Sequence, residues 1–528
     1  RQQGGDSPMI ETLEQLGLQT KSQSIFPPLN LETIAVRERA TDRYWSRHDP
    51  ISRLRLWWRA QTVRHLFHLL PGESILELGA GSGKFTEALI KATRGECPIT
   101  AATFAYSSGN PLLQSFDPNV EVICLDDFPG PLNGRAFDYI VGTNLLDMAN
   151  AAELLQEIQG LLRPGGRLLL FETNPWNPYF RWRRRLAQWL PILRRGDERE
   201  LPSQIHLYEL LSELGFLRIM ATAYDFLYRP IPGWLMQVVR NLSLILENTP
   251  LIRRWAGAIL LHAQTPPREI PRPPVRMVEH RNLHGGISII VPCHNEEMNV
   301  EPLVKGLLQH YNEYIHELVL VDDNSKDQTR IVLQRLAQKE PRVKPVFRKP
   351  PNGVGRALSE GLRQATGKFV LMMDCDFLHI LPELRDMFDA AAEGYEVVLG
   401  SRFSRESVLI NYPLKKILCN RGFHVLASLL FHRKIRDFTN NLKLLKRNVV
   451  DNLNLDEAFF AANAETGLKP VLMGYKIKSV PVSWINRTPD QGQSSFSLLQ
   501  NGWGYLKVLT GLAWRTRLGF RLLPRPMD

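Results

Sequence analysis

Two short acidic blocks in the second half of the chain each follow directly on an apolar run. Asp322–Ser325 follows residues 318–321, and Asp374–Asp376 follows residues 369–373. Short apolar runs bounded by polar residues are typical of strands buried in a parallel sheet. Because the carboxyl ends of parallel strands share one edge, this pattern predicts that the carboxylates of both blocks face a common cleft.

Apolar strands alternate with amphipathic helices along both halves of the chain. The predicted strands are 74–78, 99–103, 120–125, 139–143, 167–172, 217–226 and 256–263 in the first half, and 287–291, 318–321, 369–373 and 397–399 in the second. This alternation implies parallel sheets covered by helices on both faces. We therefore predict an α/β protein with two doubly wound domains.

A chain of 528 residues exceeds what one hydrophobic core usually supports, so several domains are expected. The proline-rich stretch 265–286 is the best candidate linker. The predicted organisation is an N-terminal arm (1–43), a first domain (44–264), the linker (265–286), a second domain (287–512) and a basic, aromatic tail (513–528).

The net charge of +11 favours anionic partners. Arginines alternate with Trp, Leu and Phe in Arg181–Arg185 and Trp514–Arg521, a mixture that suits an anionic membrane surface. No apolar run is long enough to span a bilayer, and the five scattered cysteines favour reduced thiols over a zinc site. We expect a cytoplasmic protein, peripheral on the inner face of the membrane, and no nucleic-acid partner.

Four strand ends in the second half carry residues suited to a nucleoside-diphosphate sugar. The candidates for binding it are Pro292, His294, Asn295, Glu296, Asp322, Asp323 and Asp374. Asp374 and Asp376 are candidate ligands of Mg²⁺ or Mn²⁺, which would bridge both phosphates as the glycosidic bond breaks. Asp376 and Arg402 are therefore candidate catalytic residues.

These blocks resemble, in order and spacing, family 2 glycosyltransferases of the GT-A fold, in particular the polyprenyl-phosphate (dolichol-phosphate) mannose or glucose synthases. The resemblance covers about residues 286–510 and includes Asn352–Ala357 and Asp437–Leu444. It departs from the family pattern at Leu442 and Lys443, which replace the usual Phe and Arg, and at Ser495, where lysine is common.

The resemblance implies that Arg356 contacts the sugar nucleotide, that Glu465 lies near the acceptor, and that Arg487 and Ser494 engage an acceptor phosphate. A polyprenyl phosphate is already anionic near neutrality and attacks without a strong general base. A glycan hydroxyl is the alternative acceptor, with Glu465 as its catalytic base. In-line displacement at one centre predicts inversion at the anomeric carbon.

A glycine-rich segment, Glu77–Gly83, joins a predicted strand to a helix in the first half. With the segments 137–141 and 161–166, it resembles class I S-adenosylmethionine methyltransferases over roughly residues 45–265. The resemblance implies a binding site for S-adenosylmethionine, formed by Glu77, Gly79, Gly81, Gly83, Thr103, Asp126 and Asn144.

The second strand differs from the family pattern because it ends in Thr103. In the family, an acidic residue at this position usually binds both ribose hydroxyls. One hydroxyl in place of a carboxylate weakens binding by about 1–3 kcal/mol. Two interpretations therefore stay open for the first domain: a methyltransferase that uses S-adenosylmethionine, or a non-catalytic binding or scaffold module.

Overall fold

A computed structural model of the chain describes most of both predicted domains. The described residues are 29–46, 49–105, 117–189, 200–227, 231–267, 280–377, 381–404, 406–410, 412–433, 437–485 and 498–517. Two of the predicted site residues, Arg487 and Ser494, lie outside them, as does most of the predicted linker.

The first half forms a seven-stranded sheet. Its elements are α1 (Leu31–Trp45), α2 (Pro50–Phe67), β1 (Ile75–Leu78), α3 (Lys84–Thr93), β2 (Ile99–Thr103), β3 (Val120–Cys124), β4 (Phe137–Thr143), α4 (Ala151–Leu161), β5 (Leu162–Thr173), α5 (Pro178–Trp189), α6 (Gln204–Glu213), β6 (Leu217–Tyr224), α7 (Met236–Glu247) and β7 (Ala258–Gln264). Among the described residues of this half, three short 3₁₀ helices accompany them, Gly130–Leu132, Gly233–Leu235 and Ile252–Trp255.

The first sheet has the order β3-β2-β1-β4-β5-β7-β6, and β7 runs antiparallel to both of its neighbours. Successive residues of β1 point to opposite faces, and Ile75 and Leu76 pack into two different core clusters, so both faces are covered. The chain leaves β1 for β2 and β3 and then returns to β4. The switch point of this doubly wound sheet therefore lies between β1 and β4.

The second half forms another seven-stranded sheet. Its elements are β8 (Ile287–Cys293), α8 (Val300–Tyr311), β9 (Ile315–Asp322), α9 (Thr329–Lys339), β10 (Val343–Phe347), α10 (Val354–Gln364), β11 (Phe369–Met372), α11 (Leu381–Ala392), β12 (Val397–Ser401), β13 (Leu409–Ile410), α12 (Leu414–Phe431), β14 (Lys443–Lys446), α13 (Arg447–Asp451), α14 (Ala462–Met473), β15 (Ile477–Pro481), β16 (Trp484–Ile485) and α15 (Leu498–Arg517). A 3₁₀ helix, Arg281–Leu283, precedes β8.

The second sheet has the order β10-β9-β8-β11-β14-β12-β15. β14 is antiparallel to β11 and β12, while the other pairs are parallel. A separate parallel pair joins β13 to β16. The switch point lies between β8 and β11, so the predicted class, α/β with two doubly wound domains, is confirmed.

The structure differs from the predicted N-terminal arm, because residues 31–45 form the helix α1. The side chain of Asn30 caps this helix by accepting a hydrogen bond from the Thr33 amide at 3.3 Å. Ile34 and Ala35 are buried, but so are the charged Arg37 and Glu38. Charged residues on the buried face hide the apolar periodicity by which such a helix is recognised.

The C-terminal boundary also differs from the prediction, since α15 continues to Arg517 and takes in the start of the predicted tail. In the part of the chain that the structure describes, no helix combines the length and the apolar character needed to cross a membrane.

The two domains contact each other directly. Phe403, Tyr412 and Ile417 of the second domain belong to a core cluster built mainly from α2 and the first sheet. Ion pairs also join the two domains, including Arg64 with Asp386 at 2.9 Å. The domains therefore share buried apolar surface as well as a linker.

Candidate functional site

The strand ends of the second domain meet at one edge of its sheet. The Asp323 amide donates a 2.9 Å hydrogen bond to the Cys293 carbonyl, which ties the end of β9 to the end of β8. The Met373 amide donates to the Ile290 carbonyl at 3.1 Å and ties β11 to the other side of β8. The structure thus brings the acidic blocks to neighbouring positions on one edge, as predicted.

Asp374 and Asp376 are both half-buried just beyond β11. The Asn441 amide group donates a 2.7 Å hydrogen bond to Asp374 Oδ1. The buried Cys375 between them lies beside Cys293, and this neighbour, together with burial, raises the pKa of the Cys375 thiol well above its ordinary value. Asp374 is therefore held in a defined position at the switch point, with Asp376 two residues further along the chain.

No group of three or more His, Cys, Asp or Glu side chains forms a metal site in the described part of the chain. Mg²⁺ is usually bound by only one or two carboxylates, with substrate phosphates and water as the remaining ligands. Two hard-oxygen carboxylates at Asp374 and Asp376 fit that pattern.

Asp322 and Asp323 support the loops of the cleft. Asp322 is fully buried and accepts a hydrogen bond from the Ser325 amide at 3.1 Å. Asp323 pairs with the Arg348 guanidinium, and its Oδ2 accepts from the Gly353 amide at 2.6 Å. Both oxygens of Asp323 therefore hold the segment between β10 and α10 against the strand ends.

The segment after β8 forms a second wall of the cleft. Pro292 is half-buried within β8. His294 and Asn295 are exposed, and Asn295 adopts a left-handed conformation with φ +58°. Its side-chain oxygen accepts from the Lys326 amide at 2.8 Å. Glu296 Oε2 accepts from the Asn299 amide group at 2.6 Å.

Arg356, in the first turn of α10, donates to the Asn352 carbonyl at 2.7 Å and lies 5.3 Å from the ring centre of Phe459. The preceding residue has to be glycine, because a Cβ at Gly355 would lie 2.2 Å from the Glu457 carbonyl oxygen. Arg356 is thus held where α10 meets the segment before α14.

Arg402 is buried and pairs with Asp437. Its Nε and Nη2 donate to the two carboxylate oxygens at 2.9 and 2.7 Å, and Nη2 also donates to the Thr439 hydroxyl at 3.0 Å. Burial alone would raise the pKa of Asp437, but the Arg402 guanidinium outweighs it and the pKa lies below its ordinary value. The contacts of Arg402 therefore fix the segment that carries Asn441.

Glu465 is buried in the first turn of α14. Its Oε2 accepts hydrogen bonds from the Asp456 and Glu457 amides, both at 2.9 Å, and its Oε1 lies 3.0 Å from Lys469 Nζ. The Glu465 carboxylate therefore holds the segment before α14 in place, and both of its oxygens already have partners within the protein.

Three residues of this site were not among the predicted site residues: Arg348, Asn441 and Lys443. Lys443 is fully buried, its ammonium group donates to the carbonyls of Asn440 and Asn463, and burial lowers its pKa to about 7. Asn441 and Lys443 lie in the Asp437–Leu444 block, so the sequence did contain a signal for them.

The corresponding edge of the first domain is covered by α1. The glycine loop adopts the strained conformations that glycine allows, with φ +76° at Gly79 and +54° at Gly81. The Gly81 amide donates to Glu38 Oε1 at 2.7 Å, and the Ser82 amide donates to Asp42 Oδ1 at 3.0 Å. Two amides that face the predicted methyl-donor site are thus bound by α1.

Glu38 also occupies the end of β2. Its Oε1 accepts from the Thr103 hydroxyl at 2.5 Å, and its Oε2 accepts from the Phe104 and Ala105 amides at 2.7 and 2.9 Å. Burial raises the pKa of Glu38 although these hydrogen bonds oppose the shift. A carboxylate that accepts four hydrogen bonds has no strong acceptor position left for ribose hydroxyls.

The other predicted residues of this edge lie around the same helix. The Asn144 amide group donates to the Thr41 hydroxyl at 3.2 Å, Gly83 caps α3, and Asp126 is exposed beyond β3. Glu77 is buried, and burial raises its pKa to about 7 although a hydrogen bond with Thr86 opposes the shift. With α1 in place, the donors of this edge do not fit S-adenosylmethionine.

Each half of the chain is similar to a known family of domains. The model of a methyltransferase domain matches residues 52–218, and the model of glycosyl transferase family 2 matches residues 288–453.

Two relatives match the second half. A dolichol-phosphate mannosyltransferase of Pyrococcus furiosus is 28% identical over 35% of this chain and 52% of its own length, so the chain spans about half of that relative. A polyprenol monophosphomannose synthase of Mycolicibacterium smegmatis is 28% identical over 38% of this chain and 77% of its own length.

Among solved structures, glucosyl-3-phosphoglycerate synthase from Mycobacterium tuberculosis, in complex with Mn²⁺ and UDP-glucose, has a TM-score of 0.34 at 17% identity, over 46% of this chain and 80% of that one. The matches of the two family models, and not this structural likeness, show a methyltransferase domain followed by a glycosyl transferase family 2 domain.

Proposed function

We propose that the second domain transfers a sugar from a nucleoside-diphosphate sugar to a polyprenyl phosphate, with inversion at the anomeric carbon. The observation that carries this proposal is the pair of half-buried carboxylates, Asp374 and Asp376, at the switch point of the sheet. The similarity to a dolichol-phosphate mannosyltransferase and to a polyprenol monophosphomannose synthase supports the choice of a polyprenyl phosphate as acceptor.

In this proposal Asp374 and Asp376 are the ligands of Mg²⁺ or Mn²⁺. The cation, when bound, would neutralise charge on the leaving diphosphate. Asn441 orients Asp374 through its 2.7 Å hydrogen bond, and Arg402 positions the segment that carries Asn441 through Asp437. Arg356, His294 and Asn295 line the sugar-nucleotide side of the cleft.

The contacts of Glu465 favour a phosphate acceptor over a glycan hydroxyl. A hydroxyl needs a general base, but the Glu465 carboxylate is engaged by two amides and by Lys469. The second pKa of a phosphate monoester is about 6, so a lipid phosphate attacks as an anion without such a base. Arg487 and Ser494 remain the proposed contacts of that phosphate.

We further propose that the protein acts on the cytoplasmic face of a membrane. The exposed face of α12 supports this, because Leu418, Val425 and Leu429 are 50%, 59% and 66% exposed along one side of the helix. Lys415 precedes this face and Arg433 follows it, and both are exposed. Apolar stripes with basic residues at both ends suit the interface of an anionic bilayer.

For the first domain we propose the non-catalytic alternative, a binding or scaffold module, in the conformation described. The specific observation is that Glu38 holds the Gly81, Phe104 and Ala105 amides and the Thr103 hydroxyl. A methyl donor would need those same groups.

The proposed sugar transfer is tested with the full chain, labelled nucleotide sugars, Mg²⁺ or Mn²⁺, and two acceptors offered separately. We expect acid-labile label in a polyprenyl phosphate extracted into organic solvent. Stable label in an added glycan would contradict the proposal and favour the hydroxyl alternative. An Asp376→Asn protein serves as the control for label carried over without catalysis.

A further inference from the structure

The helix α7 of the first domain exposes an apolar stripe. Trp234, just before the helix, and Val238 and Leu242 within it are 80%, 60% and 49% exposed. They are spaced four residues apart and therefore lie on one face. The opposite face is buried, with Arg240 and Leu244 among its residues. The stripe is thus a surface feature of a helix that is otherwise packed against the protein.

Further exposed aromatic residues lie beside α7 in the fold. Trp255, in the 3₁₀ helix that follows α7, is 54% exposed. Trp176, just before α5, and Trp182, within α5, are 56% and 60% exposed. The Asn177 amide group donates to the Trp255 carbonyl at 2.8 Å and joins the two segments. Single exposed apolar residues are ordinary, but a contiguous apolar patch marks an interaction surface.

The charges on the segments that form this patch are almost entirely positive. Arg253 and Arg254 are exposed beside Trp255, and the Arg181 guanidinium lies 5.7 Å from the ring centre of Trp176. In segments 174–189 and 231–257, Glu247 is the single acidic residue, and it is buried. Tryptophan rings with arginines beside them are complementary to the acyl boundary and the phosphates of an anionic bilayer.

The patch continues onto the second domain. Arg421 of α12 donates a 2.8 Å hydrogen bond from Nη2 to Asn241 Oδ1 of α7. Asn241 directly precedes Leu242, and Arg421 lies one helical turn from Leu418 and from Val425. The exposed stripes of α7 and α12 therefore border the same interhelical contact.

We propose that the first domain docks on an anionic lipid bilayer through the face formed by α7, the adjoining 3₁₀ helices and the start of α5, together with α12. This inference rests on the proposed function in one respect, that the acceptor lies in a membrane. It gives the first domain a role that needs no methyl donor, because the domain then holds the sugar-transfer cleft at the lipid surface.

The test compares the full chain with the triple variant Trp234→Ser, Val238→Ser, Leu242→Ser in co-sedimentation with vesicles. The vesicles consist of phosphatidylcholine alone or with phosphatidylglycerol, and they contain no polyprenyl phosphate. We expect the unaltered protein to bind the anionic vesicles and the triple variant to bind at least about tenfold more weakly, since three apolar side chains no longer insert.

The matched control is Ile205→Ser, Tyr208→Ser on α6, where both residues are exposed at 71% and 50% outside the patch. This variant should bind vesicles as the unaltered protein does. Equal binding by the triple variant, or equal losses in both variants, would overturn the proposal. A dimer of the unaltered protein that the triple variant dissociates in gel filtration would also overturn it, because a second copy would then cover the face.

Sugar transfer separates this inference from the proposed function. With a short-chain polyprenyl phosphate in solution, the triple variant should transfer sugar at the unaltered rate, whereas transfer to a vesicle-embedded acceptor should fall with vesicle binding. If no protein transfers sugar to either acceptor, the proposed function is wrong, while the vesicle measurements still decide the docking proposal.

Discussion

The two sheets of this protein offer the same kind of edge, but only one is covered by the protein itself. In the first domain, α1 crosses the switch point between β1 and β4, and Glu38 and Asp42 bind the amides and hydroxyls exposed there. In the second domain, Asp374 and Asp376 remain half-buried at the switch point between β8 and β11. Equivalent topology therefore does not imply an equivalent site.

The two edges differ in which acidic residues lie there and in which part of the chain supplies those residues. At the edge of the first sheet, acidic residues of α1, which is far from the strand ends in the sequence, accept hydrogen bonds from backbone amides there. At the second, acidic residues belong to the strand ends themselves and present oxygen ligands to the cleft. The first arrangement satisfies the backbone donors at the edge of the sheet, whereas the second leaves carboxylate oxygens there, which is the arrangement that the proposed cation site requires.

The substitution Asp376→Ala tests the edge of the second sheet, at the switch point between β8 and β11, and should have the largest effect. Losing a ligand of the cation is expected to lower kcat for sugar transfer by about 10³-fold with little change in melting temperature. The matched control is Glu313→Ala, an exposed acidic residue at the amino end of β9. Full activity of the Asp376→Ala protein would remove the metal role and with it the comparison.

Arg402→Lys tests how the open edge is held in place. Lysine cannot make the paired hydrogen bonds to Asp437, so we expect about a tenfold lower kcat and about 2 kcal/mol less unfolding free energy. Arg335→Lys, at an ion pair with Glu301 in which the Arg335 side chain is half exposed, is the control and should change neither quantity. A raised KM for the sugar nucleotide with unchanged kcat would show instead that Arg402 binds the substrate directly.

Glu38→Ala tests the edge of the first sheet, which α1 covers. Whether this variant binds S-adenosylmethionine more tightly or more weakly discriminates between two roles of Glu38. If Glu38 competes with a methyl donor, calorimetry should show S-adenosylmethionine binding at least about tenfold more tightly to the variant than to the unaltered protein. Glu32→Ala, on the exposed face of the same helix, is the control. Tight binding to the unaltered protein that Glu38→Ala abolishes would make Glu38 a ligand and break the comparison.

Glu77→Gln should have the smallest effect of these substitutions. It tests how the burial of a carboxyl group in the first domain changes the pH dependence of the unfolding free energy. Burial raises the pKa of Glu77 from 4.5 to about 7, opposite in direction to the lowered pKa of Asp437 in the second domain. Folded protein keeps the Glu77 proton after the unfolded chain has lost it. The unfolding free energy therefore falls as the pH rises from 4.5 to about 7 and changes no further above that.

Glutamine has no proton to lose, so the melting temperature of the Glu77→Gln protein should exceed that of the unaltered protein by a few degrees more at pH 8 than at pH 5. Thermal unfolding at both pH values measures this. The exposed Glu87→Gln on α3 is the control and should leave the pH dependence unchanged. Parallel pH profiles for the Glu77→Gln and unaltered proteins would contradict the assignment.

The strands and their polar ends were predictable because their signal is local. The run that ends at Thr103 forms β2 with the predicted limits, and the acidic block that begins at Asp322 lies at the end of β9 as expected. Apolar runs of strand length between turn residues specify parallel strands, and parallel strands bring their carboxyl ends together. The α/β class and the meeting of the acidic strand ends at one edge of the second sheet followed from this pattern.

Which side chains lie at the two edges was decided by contacts between segments that are far apart in the sequence. Glu38 reaches Gly81 and Thr103 across 43 and 65 residues of sequence, and no local pattern marks it. Arg402 and Glu465 have the residue types that catalysis would use, yet their partners, Asp437 and Lys469, engage them. Sequence thus determined the two sheets and their polar edges, whereas only the tertiary structure decided which polar groups satisfy one another, because hydrogen bonds depend on distance in space.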